Sequence, residues 1–251
     1  MRRSVVFASF IVLSLIAMSG VSADATEVLP NPARNAGAGY DNGPWGPVVY
    51  TIGDSISALP AQKDNIAWFN GAKGWHTHIE ATGGATMIEH WRTSGGWDTF
   101  RRAASSNASV IVVELGTNDI SGIYSGDPQA LQKIAAVFDY LTFSAAYLNG
   151  TGKCIVWVGM NERGNQAALT PPIVYDQANV AVAFNNKVKE LRATYPRLHY
   201  ADYNALITNN ANFRNGLYVA GNADTIHPKT TASFQELAVW YTNQVRSSCG
   251  I

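Results

Sequence analysis

The chain has 251 residues, 47% of them hydrophobic, and its 18 Lys and Arg balance its 18 Asp and Glu. That length suits one domain with a large core, and the neutral balance leaves no electrostatic footprint for nucleic acid. Beyond the first residues, no segment is long and apolar enough to cross a bilayer.

Arg2 and Arg3 make a basic start, an apolar stretch runs from Val5 to Met18, and Val21-Ser22-Ala23 offers a small-residue cleavage site. This order predicts a secretory signal peptide over residues 1–23, cut after Ala23, and a secreted or extracytoplasmic protein with no membrane span once it is removed. The apolar stretch is too short for a comfortable anchor. Residues 24–45, rich in Gly, Pro, Asn and Ala, read as an irregular arm, and 46–251 as the single folded domain.

PVVYTI supplies the first β-prone run, ending at Gly53, and WHTHIEATGG (75–84) a weaker second. ASVIVVELGTND (108–119) is the clearest buried strand, apolar and then abruptly polar; KCIVWVGMNE (153–162) repeats that design, and RLHYADYN (197–204) is a fifth candidate. Helical spacing links Leu131, Ile134, Ala135, Phe138, Leu141, Ala145 and Leu148. It also links Val174, Ala181, Phe184, Val188 and Leu191, and again Phe234, Leu237, Tyr241 and Val245. Strands alternating with helices predict parallel β-α units in one three-layer α/β/α domain.

Two cysteines, Cys154 and Cys249, are expected to form one disulfide in an exported protein. The alternative is a buried thiol at Cys154 and an exposed, reactive one at Cys249. Neither has a CxxC neighbour, so redox and structural-metal chemistry gain no support. Asn107-Ala108-Ser109 and Asn149-Gly150-Thr151 fit glycosylation acceptors.

In open parallel sheets, ligand sites gather at the carboxyl ends of the strands. Gly53-Asp54-Ser55, Gly83-Gly84, Gly116-Thr117-Asn118-Asp119 and Met160-Asn161-Glu162 follow the first four strands and so share one rim. A serine there needs a base. Of His76, His78, His90, His199 and His227, the last is the best candidate, because ADTIHPK sets Asp224 three residues before it. Asp224 could orient the imidazole while its other nitrogen faces Ser55; as an alternative, Asp224 caps a turn before Pro228. Candidate oxyanion donors are the backbone N–H of Ser55, the backbone N–H of Gly84 and the Asn118 amide. Separately, Gly83-Gly84 also reads as a turn and Asn118-Asp119 as a helix cap. No G-x-S-x-G elbow is present.

These residues resemble the SGNH (GDSL-type) hydrolase superfamily. GDS at 53–55 resembles its first block, TGGAT at 82–86 the second, GTND at 116–119 the third and DTIH at 224–227 the last, in family order. Ile56 stands where many members have Leu, and Ala85 where Asp is often found. The resemblance implies a flavodoxin-like sheet of about five parallel strands and ester hydrolysis without metal or cofactor. It implies Ser55, His227 and Asp224 as catalytic residues, with Ser55, Gly84 and Asn118 as the oxyanion hole. The substrate would be an acylated glycan, lipid or small molecule.

An O-acyltransferase would need the same residues, and an inactive secreted glycan-binding domain would have lost one of them. His76, His78 and Glu80 alternate on one strand face, yet they lack the spacing of a metal-ligand set. Trp68, Trp75, Trp91 and Trp97 flank the early rim and could stack on a sugar, cover an acyl chain or fill the core.

Overall fold

A computed structural model describes residues 46–93, 98–121, 123, 127–162, 173–219 and 226–251, with only the helical backbone described for 173–178. The predicted signal peptide and arm lie outside the described residues. Five strands, β1 (Val48–Gly53), β2 (His76–Ala81), β3 (Val110–Glu114), β4 (Cys154–Val158) and β5 (Leu198–Ala201), form one sheet in the order β2-β1-β3-β4-β5. Every neighbouring pair is parallel, and Gly53 lies level with Ala81 on one side and Glu114 on the other. This is the flavodoxin-like order, with its switch point between β1 and β3. All five residues of β3 are buried, as a strand covered on both faces must be.

Helices cover both faces. Tyr50, Ile52, Ile111, Val113, Ile155 and Trp157 point to one side, where they meet α3 (Thr99–Ser105), α4 (Ala130–Asn149) and α5 (Ile173–Thr194). Val49, Val110, Val112, Val156 and Val158 point to the other. There they meet α2 (Pro60–Gly71), α6 (Tyr203–Asn209), α7 (Ala211–Leu217) and α8 (Thr231–Cys249). A four-residue helix, α1 (Ser55–Ala58), follows β1 directly, and a 3-10 turn spans Glu89–Trp91. Cys154 at the start of β4 and Cys249 at the end of α8 are disulfide-bonded, with Cα atoms 5.8 Å apart.

The three helices expected from apolar spacing are α4, α5 and α8. Among the described residues, four of the other five helices, α2, α3, α6 and α7, were not legible for a physical reason, and α1 is a single turn. The buried side of α2 carries Gln62, Lys63 and Asn70 beside Ile66, so its inner face is not an apolar stripe. The short α3, α6 and α7 have seven residues each, too few for a period to register. The fifth strand stops at Ala201 rather than running through Asn204, because Asp202 caps α6 by accepting from the Ala205 N–H. Leu131, read as part of the inner face of α4, is instead 84% exposed.

Candidate active site

β1 ends where three turns converge. Asp54 is fully buried and caps α1: one carboxylate oxygen accepts from the Ile56 N–H at 2.9 Å. That cap starts the helix at Ser55, which is left partly exposed at the rim. Gly53 is required by packing, since a Cβ there would lie 2.7 Å from Ser57 Cβ and 3.2 Å from Glu114 Oε2.

His227 reaches the same point from the loop before α8. Its Nε2 is 2.7 Å from Ser55 Oγ, a contact between residues 172 positions apart. α8 is anchored immediately downstream by a capping box of Thr230 and Ser233, which fixes where the loop enters the helix. Asp224, predicted to orient His227, lies outside the described residues.

The second turn brings Gly83 and Gly84 to the rim, both exposed, with Gly84 at φ 76°. The position of a Cβ on Gly83 would be 3.9 Å from Ser55 Cβ, so this turn flanks the hydroxyl. From the third turn, Asn118 donates through Nδ2 to Asp54 Oδ2 and to the Ala85 carbonyl, both at 3.0 Å. Gly116 permits this turn, because its φ is 127° and a Cβ would meet Phe184 at 2.8 Å and Met160 Sδ at 2.9 Å. The structure thus gathers Ser55, His227, Gly83-Gly84 and Asn118 at one edge. It spends both Asn118 amide hydrogens on protein acceptors.

Beneath the turn lies a group of acids that sequence reasoning passed over. Glu114, 4% exposed, accepts from the Ser57 hydroxyl at 3.1 Å, and its Oε2 is 3.4 Å from the Asp54 backbone N. Burial, reinforced by the charge of Asp54, pushes the Glu114 carboxyl well above its usual range. Burial also lifts Asp54 to about 6, against the lowering pull of the Ile56 N–H, Glu114 and His227. Asp119 rises to about 7, again chiefly through burial, while accepting from the Met87 N–H at 3.0 Å. On the opposite face His90 is buried against the Phe100 ring, and that burial disfavours its charged form, lowering its pKa to about 4. The available signal for Glu114 was its charge inside the buried run IVVELG.

The other sequence candidates separate. His78 and Glu80 do share a strand face, at 3.1 Å, but no metal-holding cluster of His, Cys, Asp or Glu occurs among the described residues. Trp75 and Trp91 are buried in the core, Trp68 is 45% exposed on α2, and Trp97 lies outside the described residues. Trp91 stacks on Phe100 and donates to Ser144, so it serves packing rather than the rim.

No protein-family model matches the sequence, and no curated protein does either. Solved structures do match by shape. Axe2, an acetylxylan esterase from Geobacillus stearothermophilus, is 17% identical with a TM-score of 0.57, over 80% of this chain and 94% of that one. A proposed acylhydrolase from Bacteroides fragilis is 15% identical with a TM-score of 0.53, over 86% and 94%. A proposed SGNH hydrolase from Slackia heliotrinireducens is 16% identical with a TM-score of 0.50, over 80% and 100%. At these identities the likeness establishes a shared fold, the three-layer fold of SGNH-type hydrolases.

Proposed function

We propose that the protein is an SGNH-type serine esterase acting outside the cytoplasm, hydrolysing O-acyl esters of a glycan, a lipid or a small molecule through an acyl-enzyme. The observation that carries this reading is the 2.7 Å contact between Ser55 Oγ and His227 Nε2 at the carboxyl edge of a parallel sheet. It is the hydrogen bond a nucleophile and its base require.

Ser55 Oγ attacks the acyl carbonyl carbon as His227 Nε2 takes its proton, and the carbonyl π electrons move to oxygen. The backbone N–H groups of Ser55 and Gly84 receive that oxyanion. Asn118 joins them by sharing one hydrogen now given to Asp54 or Ala85. Protonated His227 then delivers the proton to the departing alkoxide, leaving the acyl group on Ser55. Water, deprotonated by His227, attacks the acyl carbon; the bond to Ser55 Oγ breaks, Oγ regains its proton from His227, and the acid leaves. Asp224, at the third position before His227, is the residue assigned to hold the Nδ1 proton.

Export is supported by the signal-like start of the sequence and by the Cys154–Cys249 bond, since disulfides persist in oxidising compartments. Acylated glycans are supported by likeness to an acetylxylan esterase. The test compares wild type and Ser55→Ala on activated esters from acetyl to long acyl and on acetylated oligosaccharides, with folding checked by circular dichroism. Ester cleavage lost in the variant is the expected result. Cleavage retained by folded Ser55→Ala overturns the mechanism.

A further inference from the structure

We propose that Glu114 is a positioning residue of this site, bracing from beneath, through the Asp54 backbone and the Ser57 hydroxyl, the turn from which the Asp54 carboxylate fixes the start of α1 and the Asn118 amide. The inference rests on the esterase reading for its kinetic consequences, but its geometry stands on its own.

Glu114 grips the turn twice. Its backbone carbonyl accepts from the Asp54 N–H at 3.2 Å, continuing the β1–β3 ladder past Gly53, and its side chain accepts from the Ser57 hydroxyl in α1. Gly53, between them, leaves no room for any side chain. Asp54 passes the constraint on: Oδ1 fixes the Ile56 N–H and Oδ2 the Asn118 amide. One chain of contacts therefore runs from a buried acid to two groups at the reacting centre.

Burial and the neighbouring Asp54 favour the neutral form of Glu114. A second ionised carboxyl beside Asp54, both nearly sealed from water, would repel it and the two could not stay charged together. The contact the structure gives the Glu114 carboxyl with Asp54 is to its backbone, with Oε2 3.4 Å from the Asp54 N. The groups facing Glu114 are Asp54 from the β1 turn, Ser57 from α1, Tyr203 from α6 and Tyr241 from α8; His227 acts on Asp54 from the other side. No cation is among them. Tyr203, whose buried hydroxyl has no hydrogen-bond partner among the described residues, lines a small cavity with Glu114, Thr117 and Asn161.

If Glu114 ionises at alkaline pH, the Asp54 carboxylate is pushed away and Asn118 loses its anchor. Glu114→Gln keeps a neutral donor and acceptor at every pH; Glu114→Ala keeps neither. The expected kinetic result is a fall in kcat of about 10–100-fold for Glu114→Ala with KM little changed, the cost of a misplaced catalytic group. Glu114→Gln restores kcat to within about threefold and lacks the alkaline loss that wild type shows.

A second measurement needs no activity. In Ser55→Ala protein with labelled glutamate carboxyls and asparagine amides, the Glu114 signal is identified by its loss in Glu114→Gln and the Asn118 signal by its loss in Asn118→Ala. The Glu114 carboxyl is expected to titrate well above an ordinary glutamate. The Asn118 amide signals should shift with the same midpoint when Glu114 finally titrates. An ordinary glutamate midpoint near about 4, or Asn118 signals indifferent to the Glu114 titration, overturns the proposal, as does Glu114→Ala with wild-type kcat. Wild type inert to every ester would sink the esterase reading, leaving the magnetic resonance result to decide this one.

Discussion

Glu80 and Glu114 stand at the carboxyl ends of β2 and β3, on either side of β1, and are 3% and 4% exposed. They face opposite sides of the sheet, and their surroundings drive them in opposite directions. Burial alone would raise Glu80, but hydrogen bonds from His78, Arg102 and Tyr50 bring it down to about 2. Arg102 grips it through Nε and Nη2, and the Tyr50 hydroxyl adds a third donor. At Glu114 burial itself, reinforced by the charge of Asp54, carries the carboxyl well above its usual range, and the Ser57 hydroxyl offsets little of it. Two acids of similar surface exposure are thus driven apart, one toward its charged form among structural partners and the other toward its neutral form beneath the Ser55 turn. Donors offset the cost of burial at Glu80 and not at Glu114.

This contrast can be broken from either side. The largest effect belongs to the rim above Glu114: Ser55→Ala should lower kcat by at least about 10³-fold, with unfolding midpoint little changed. Asn118→Ala should cost about 10²–10³ in kcat, the usual loss for one oxyanion donor, even though its hydrogens are engaged by Asp54 and Ala85. Steady-state kinetics on an ester cleaved by wild type checks both. Retention of full kcat by Asn118→Ala would confine its amide to bracing the Asp54 turn.

On the other side, Glu80→Leu should act on stability. It leaves the buried Tyr50 hydroxyl without its acceptor, a loss of about 1–3 kcal/mol by denaturant titration. Arg102 is 38% exposed and can turn to water, so its charge adds little to that figure.

The smallest effects lie in the pH dependence, and they differ in sign. Glu80 titrates lower in the folded chain than in the unfolded one. Its stabilisation is present above the ordinary glutamate value of 4.5 and is lost as pH falls from there through about 2. Asp54 titrates higher in the folded chain, so between 3.8 and about 6 the native state holds the extra proton and stability falls as pH rises. Glu80→Gln should flatten the acid limb of the stability curve, and Asp54→Asn the slope above it. Parallel changes in the two variants would show that the sites are not distinct.

The sheet was legible because its strands are buried on both faces and read as apolar runs that end in polar residues. Ser55, Gly84 and Asn118 were legible as rim residues because each follows one of those runs, and His227 was singled out because Asp224 stands three residues before it. What escaped were features set by three-dimensional neighbours. α2 hides polar residues inward, and Asp54 looked like part of a loop until its carboxylate was seen capping α1. Glu114 appeared to be the polar end of a strand, although it lies beneath the Ser55 turn. Trp75 and Trp91 show the converse: aromatic residues near a rim in sequence can still turn to the core.

The most direct test of the account is to treat the folded protein with a reactive fluorophosphonate ester and locate the adduct by peptide mass spectrometry. The account predicts a single adduct on Ser55, formed in step with loss of esterase activity and absent from Ser55→Ala and His227→Ala. Complete loss of activity with the adduct on another residue would contradict it.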